Sequence, residues 1–426
     1  MGIVQAPRGT KDILPEDVGY WQHIETVARS VFRNAVYREI RTPIFEQTNL
    51  FERGIGEATD VVGKEMYTFA DRGDRSLTLR PENTAGVARA FIEHNLHAQG
   101  GVQRLWYNGP MFRYERPKAG RQRQFHQIGV EVLGSASPRA DAEAIAVAMT
   151  FLGALGLRNL KLVFNSIGSF EDRKRYRETL VDYLTPFKDD LDPDSQDRLT
   201  RNPLRILDSK VKRTQEIVKE APILLDCLSP ESAQRFEQVQ HLLTDLGVDY
   251  IIEPTLVRGL DYYTHSVFEI QSDDLGTEAT VCAGGRYDGL VQQLGGPDTP
   301  AVGWASGLER LLLLLKQQDM ALANAVDFYV VSRGDRAEAN ALALAHQLRG
   351  LNFAVDLDLS GSAFGKQFKR ADRSGAAACF ILGDTEAEQG TAQLKWLASG
   401  EQEELQQSEL AAIAPILREK LAAIQP

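Results

Sequence analysis

VQRLWYNGPMFRYERPKAGRQRQFHQIGVEVLG, residues 102–134, alternates with period two on both sides of a polar centre, ERPKAGRQRQ. That period belongs to strands and the centre to a turn, so the stretch predicts a long β-hairpin. On the outgoing strand Arg113 and Glu115 share a face; on the return Phe125, Gln127, Gly129 and Glu131 share one. If the two faces coincide, the hairpin floor holds an aromatic plate, two acids, an amide, an arginine and a glycine that leaves room for a ligand. Such a set suits a purine with phosphates beside a small polar substrate. From 113 to 126, five cations (Arg113, Arg116, Lys118, Arg121, Arg123) stand against Glu115 alone. A solvated hairpin tip would carry the same charge. In a chain whose formal net charge is −11, its concentration here strengthens the phosphate reading.

Outward from the hairpin, residues 17–38 carry a helical period (Val18, Trp21, Ile24, Val27, Val31), followed by β-rich IRTPIF, which Pro43 breaks. A helix is predicted over 82–96, with Ala85, Ala88 and Ile92 on one face, and an Ala-rich one over 139–155. Strands follow at 160–165, 251–257, 262–271 and 278–283, then a hydrophobic helix at 304–317. Strands interleaved with helices in this way predict an α+β domain around an antiparallel sheet. Residues 170–245 differ: charged, mostly helical and punctuated by Pro193, Pro203, Pro222 and Pro230, they read as a helical insertion. After about 322 a βαβαβ rhythm begins (328–332, 336–349, 353–359, 363–373, 377–382), the pattern of a small α/β domain. A helical end at 408–424 suits packing on its sheet. The expected organisation is a domain over 1–321 interrupted by 170–245, then a second domain over 322–426.

Of 426 residues, 43% are apolar and 25% charged, which excludes general disorder. The acidic balance argues against a protein that coats nucleic acid, though not against an RNA held on a local patch. Cys227, Cys282 and Cys379 lie far apart without a CxxC, and the seven histidines form no HExxH. Neither a disulfide framework nor a metal site is expected. Walker A and GxGxxG loops are absent from the sequence. The N-terminus has no apolar signal region, and the longest apolar run, Leu311 to Leu315, is far too short to cross a bilayer. A soluble, cytoplasmic protein without membrane association is the expectation.

Gly303-Trp-Ala-Ser-Gly307-Leu-Glu309-Arg310 precedes those leucines. An arginine beside so apolar a helix needs a carboxylate or phosphate partner. Pro43 after an amphipathic helix, Phe112-Arg113-Tyr-Glu115, and Gly307-Leu-Glu309-Arg310 together resemble the three motifs of class II aminoacyl-tRNA synthetases. Two further segments, Leu256-Val-Arg258-Gly-Leu-Asp261-Tyr262-Tyr263 and Cys282-Ala-Gly-Gly-Arg286-Tyr287-Asp-Gly289, resemble the signature peptides of the histidyl-tRNA synthetase family. Pro7-Arg-Gly-Thr-Lys-Asp12 is similar to that family's opening. The similarity is dense over roughly 1–320; beyond that it is one of architecture.

The resemblance implies an antiparallel-sheet catalytic domain and a C-terminal α/β domain that binds the anticodon. It implies activation of histidine by ATP, with Mg²⁺ and no prosthetic group, and transfer to the 3′ end of tRNA(His). By the same resemblance Arg113 and Arg258 are catalytic at the α-phosphate, and Phe125 stacks on adenine. Glu115 orients the adenine or pyrophosphate side, while Arg121 and Arg310 reach the phosphates. Glu82, Thr84, Gln127, Glu131, Tyr262, Tyr263 and Tyr287 match the histidine pocket. Asn83 stands where many relatives carry glycine. A pocket bonding both imidazole nitrogens can reject analogues by about 10⁴–10⁵, so no editing domain is implied. The family's usage puts the insertion on the tRNA acceptor arm and makes the protein a homodimer. Arg116, Lys118 and Arg123 of the hairpin tip are candidate tRNA contacts. So are Lys366, Lys369, Arg370 and Arg373, which fall on one helical face opposite Phe364, Phe368 and Ala371. Two alternatives stand beside this reading. One is a synthetase-like regulatory subunit of histidine biosynthesis, in which catalytic positions and the last domain are typically lost. The other is a class II synthetase for another amino acid.

Overall fold

The computed structural model describes residues 2–56, 59–278, 280–318 and 326–424. The chain forms two compact units, Met1–Met320 and Ala321–Pro426.

The first unit is built on an eight-stranded sheet. Its strands, named by their first residues, run Arg38, Gln103, Gln124, Ala301, Thr280, Thr264, Leu160, Tyr250 from edge to edge. The inner six pair antiparallel, and only the short edge strands at Arg38 and Tyr250 pair parallel to their neighbours. One face is covered by the helices Pro15–Asn34, Pro138–Ala154 and Leu308–Gln317. The first presents Trp21, Ile24, Ala28 and Phe32, spaced three or four apart, so they form one stripe against Trp106, Phe151 and Trp304. The second starts at Pro138 behind the Ser137 cap, and its small alanines let it lie close to the sheet.

The predicted hairpin forms as Gln103–Phe112 and Gln124–Leu133. Three boundaries move. The helix expected at 304–317 begins at Leu308, because Ala301–Gly307 is a central strand. The strand expected at 251–257 is only Tyr250–Ile252; Pro254 has no amide to give a ladder, and the chain leaves the sheet there. The helix expected to reach 38 stops at Asn34, where Val36 turns to φ 61°. A small sheet of Phe45–Gln47, Tyr67–Ala70 and Ser76–Leu79 was not anticipated.

In the stretch 170–245, Tyr176, Leu180, Leu184, Ile206, Ile217 and Leu224 form a core that joins the other side of the sheet. Its turns are fastened by two aspartates: Asp172 accepts from Ser169 N, Ser229 N and the Ser232 hydroxyl, and Asp192 from Ser195, Ser209 and Thr214. Burial works against both charges, yet these donors hold each carboxyl down at about 2. The last helix, Pro230–Asp245, packs instead on Pro138–Ala154 through Val239 and Leu243.

In the second unit strands starting at Val355, Phe328 and Ala378 run parallel, and a hairpin, Thr391–Trp396 with Gln402–Gln406, extends them antiparallel. Helices Asp335–Gly350 and Leu410–Ile424 share one core with Phe328 and Val330. Phe364–Ser374 packs with the alternate residues Tyr329 and Val331, hence on the other face.

Candidate active site

The sheet's second face, together with the insertion, encloses a cleft of about 490 Å³, within the range of small-ligand sites. Its floor is kept low by small residues on neighbouring strands. Gly303 pairs with Glu131, and a Cβ on Gly303 would lie 1.8 Å from Glu131 Oε2. Gly129 was expected to leave room for a ligand. The space is taken by Tyr107, whose hydroxyl would sit 2.5 Å from a Cβ at 129.

One part of the cleft is lined by buried side chains rich in hydroxyls. Tyr262, Tyr263 and Tyr287 are buried with ring centroids 4.7 and 5.6 Å apart, and burial raises the pKa of each phenol. The Tyr287 hydroxyl donates to Glu131 Oε2 at 2.5 Å and Thr84 Oγ1 donates to Oε1 at 2.7 Å. Glu131 itself lies behind these two rather than on the lining. With 1% exposure it is desolvated, which pushes its carboxyl up to about 8 despite the two hydroxyl donors. Glu82 does line the cleft, but its carboxylate also receives Thr84 N (2.7 Å) and Ala85 N (3.0 Å) at the start of the helix Thr84–Glu93. Burial raises its pKa and those amides oppose the rise. Asn83 is structural: its carbonyl accepts from Thr42 Oγ1 at 2.6 Å and from Arg80 at 3.3 Å.

The other part is cationic. Arg113 and Glu115 do not share a strand face, because the strand ends at Phe112. Instead Arg113 Nε donates to the Pro81 carbonyl (2.8 Å), and its guanidinium stands 5.3 Å from the Phe125 ring centroid. Glu115 is 2.9 Å from Arg121. Arg310 donates to the Thr280 carbonyl, and its neighbour Glu309 accepts from His126 N at 2.9 Å. Arg258 stands between the two regions, 6.0 Å from the Tyr263 ring on one side and paired with Glu269 on the other. Burial disfavours its charge, but Glu269 together with Tyr263 and Tyr262 outweighs this and the guanidinium's pKa rises.

Two of the lining residues each keep a buried polar atom without a partner among the described residues: Gln127 its Oε1 and Arg258 its Nε.

The cleft therefore gathers Arg113, Arg258, Glu82, Thr84, Gln127, Tyr262, Tyr263, Tyr287, Glu115, Arg121, Phe125 and Arg310. Arg116 and Lys118 are exposed at the loop, outside the lining. Arg123 is tucked over the Tyr114 ring (3.7 Å) and donates to the Glu115 carbonyl, a packing role that its charge alone did not reveal. In the other unit Lys366, Lys369, Arg370 and Arg373 are all exposed, with Arg370 bonded to the buried Asp358. The sequence reading missed Tyr107, Glu269 and Thr280, and Asp208 and Lys210 from the insertion. Glu269 had a signal: a lone acid in apolar VFEI demands a cation. Asp208 and Lys210 arrive by tertiary folding and had none. Arg286 of the second signature peptide is fully buried and serves the scaffold. It holds Asp141 (2.6 Å) and Asp288 (2.8 Å), and its charge keeps Asp141 ionised despite burial.

A family model described as histidyl-tRNA synthetase matches residues 9–311, and one described as an anticodon binding domain matches 327–415. A histidine–tRNA ligase from a Synechocystis strain is 67% identical over 422 residues, covering 99% of this chain and 94% of the relative. One from Synechococcus elongatus is 68% identical over 423 residues, covering 99% and 97%. The crystal structure of apo S. aureus histidyl-tRNA synthetase superposes with a TM-score of 0.81 at 40% identity, covering 96% of this chain and 99% of that one.

Proposed function

The chain belongs to the histidyl-tRNA synthetase family and is an ATP-dependent histidine–tRNA ligase, and we propose how its cleft divides that work. The regulatory-subunit reading is not favoured by these full-length similarities. Histidine lies among Glu82, Thr84, Gln127, Tyr262, Tyr263 and Tyr287, its ammonium toward the Glu82 carboxylate. Glu131, neutral near pH 7 by the proton that burial makes it keep, backs the imidazole through Tyr287 and Thr84. ATP lies over Phe125, with Arg113 and Arg258 at the α-phosphate and Glu115, Arg121 and Arg310 toward the far phosphates.

The histidine carboxylate attacks the α-phosphorus and pyrophosphate leaves; the terminal ribose hydroxyl of tRNA(His) then takes the acyl group and AMP leaves. Little covalent work falls to the protein, so positioning and fixed charge carry the rate. Arg258 is suited to this because a guanidinium stays charged and has several donors in a fixed fork. Mg²⁺ would enter on the triphosphate, neutralising its charge; among the described residues no three His, Cys, Asp or Glu converge to hold a metal alone. The exposed stripe Lys366, Lys369, Arg370 and Arg373 is the proposed face for anticodon-side RNA, and Arg116 and Lys118 that for the acceptor end. No helix among the described residues is long and apolar enough to cross a membrane. A cytoplasmic homodimer is the form we infer from the family's usage.

The observation that carries the division of the cleft is its two-part lining, with buried Glu82, Tyr262, Tyr263 and Tyr287 in one part and Arg113, Arg258 and Arg310 in the other. Histidine-dependent ATP–pyrophosphate exchange by the purified protein tests it. Exchange should appear with histidine and be lost on Arg258→Ala; no exchange with histidine would refute the reading.

A further inference from the structure

The signature peptide 258–263 is a wall with a cavity on either side. Arg258, Leu260, Tyr262 and Tyr263 line the main cleft. Gly259 lines a second cavity of about 130 Å³, which Asp60, Arg198, Asn202 and Arg205 help to build. Asp261, in the middle of the wall, lines neither. Its carboxylate accepts from Asn202 Nδ2 at 2.8 Å, its carbonyl accepts from Arg173 at 3.2 Å, and its amide donates to the Ile55 carbonyl at 3.1 Å. Asn202 and Arg173 both come from the helical insertion. Asn202 sits at the break between the helix Pro193–Arg201 and the turn Pro203–Ile206, where its extended backbone (φ −152°) aims the side chain outward from both. Burial raises the Asp261 pKa and Asn202 opposes the rise, as a hydrogen bond to the charged form should.

The insertion has a second hold. Arg198 bonds Asp60 at 3.0 Å, and a few residues on the Glu65 carbonyl accepts from Tyr114 N at 2.7 Å, next to Arg113. The insertion thus grips the segment that carries Arg258 directly and meets the one that carries Arg113 only through residues 60–65.

We propose that Asp261 is a positioning residue which, through Asn202 and Arg173, fastens the insertion to the peptide carrying Arg258, Tyr262 and Tyr263 and so sets the geometry of histidine activation. The proposal rests on the reading of the cleft given above. A misplacement of about 1 Å can cost about a hundredfold in rate, so a single lost anchor is enough to register.

Asn202→Ala, Asp261→Ala, Asp261→Asn and the double Ala variant are compared in histidine-dependent pyrophosphate exchange, alongside thermal unfolding. Asn202→Ala and Asp261→Ala should each lower kcat about tenfold or more and raise the KM for histidine, leaving the KM for ATP within about twofold. The double variant should be no worse than either single one, because both remove one interaction. Asp261→Asn keeps an acceptor for Asn202 and should stay within about threefold of the parent. Parental kinetics in both Ala variants with only a lowered melting temperature would overturn the proposal. A parent without histidine-dependent exchange would instead sink the reading of the cleft itself.

Discussion

Replacing Arg258 with alanine should do two separable things. The Arg258 and Glu269 side chains are 20% and 17% exposed, so the pair is mostly desolvated. Removing one member of a fully buried pair costs about 3–5 kcal/mol, because the other charge is stranded. Here residual solvent and the remaining donors, Thr280 Oγ1 at 2.7 Å and Gln271 Nε2 at 3.3 Å from Glu269, reduce this to about 2–3 kcal/mol. The catalytic loss is distinct. Losing one preorganised donor at a developing oxyanion costs about 10²–10³ in kcat, about 3–4 kcal/mol. Arg258→Ala confounds the two, and Arg258→Ala/Glu269→Gln separates them. The double variant removes the stranded charge while its amide still receives Thr280, so most of the lost thermal stability should return. Adenylation, followed by pyrophosphate exchange at saturating histidine and ATP, should stay 10²–10³ below the parent. An exchange rate restored together with the melting temperature would refute the direct role: Arg258 would then matter only as the counter-ion of Glu269.

Glu131→Gln tests the buried proton. With a carboxyl at about 8 in the folded chain against 4.5 ordinarily, Glu131 keeps a proton that the unfolded chain releases. Its contribution is therefore whole below about pH 4.5 and is lost as pH rises toward 8, by up to roughly 5 kcal/mol. The variant should gain on the parent across that window; parallel pH–melting curves would refute the raised pKa. Phe125→Ala should raise the KM for ATP about five- to hundredfold, the worth of one stacked base, with the KM for histidine little changed; an unaltered KM for ATP would exclude stacking. Neutralising Lys366, Lys369, Arg370 and Arg373 together should weaken tRNA binding most at low salt, lowering the log–log salt slope by about 2–3 without affecting adenylation. An unchanged slope would make the stripe a solvated face.

What the sequence disclosed was whatever periodicity or charge writes locally. The hairpin was legible because ten-residue arms alternate about a basic loop. The second unit was legible because its strands and helices alternate. Sheet order was not: Gln124–Leu133 pairs with Ala301–Gly307 across some 170 residues, and nothing in either strand names the other. That pairing also turned part of an expected helix into a strand, since WASG has no helical stripe of its own. Among site residues, the family pattern found those that face the cleft but could not tell lining from support. Glu131 and Arg286 are buried, and only the structure shows that one backs the pocket while the other pins a strand to Asp141.

The unequal treatment of those buried charges explains how one cleft can meet two opposite electrostatic demands. A neutral imidazole is best told from its analogues by directional hydrogen bonds, which weaken in discrimination when water can substitute for them. The tyrosine-lined part is accordingly built from buried side chains, and the acid behind it is made neutral by burial rather than balanced by a cation. A triphosphate needs fixed positive charge that survives desolvation, and there the protein supplies guanidinium groups, each supported by a carbonyl or carboxylate: Pro81 for Arg113, Glu269 for Arg258, Thr280 for Arg310. Support of this kind satisfies one edge of the fork. At Arg258 one Nη goes to Glu269, so on the proposed reading the same side chain is held by Glu269 while it serves the α-phosphate. The net charge of −11 and the cationic cleft are then compatible: the acidic surface discourages indiscriminate RNA binding, and the few arginines turned inward are placed where anionic substrate must go.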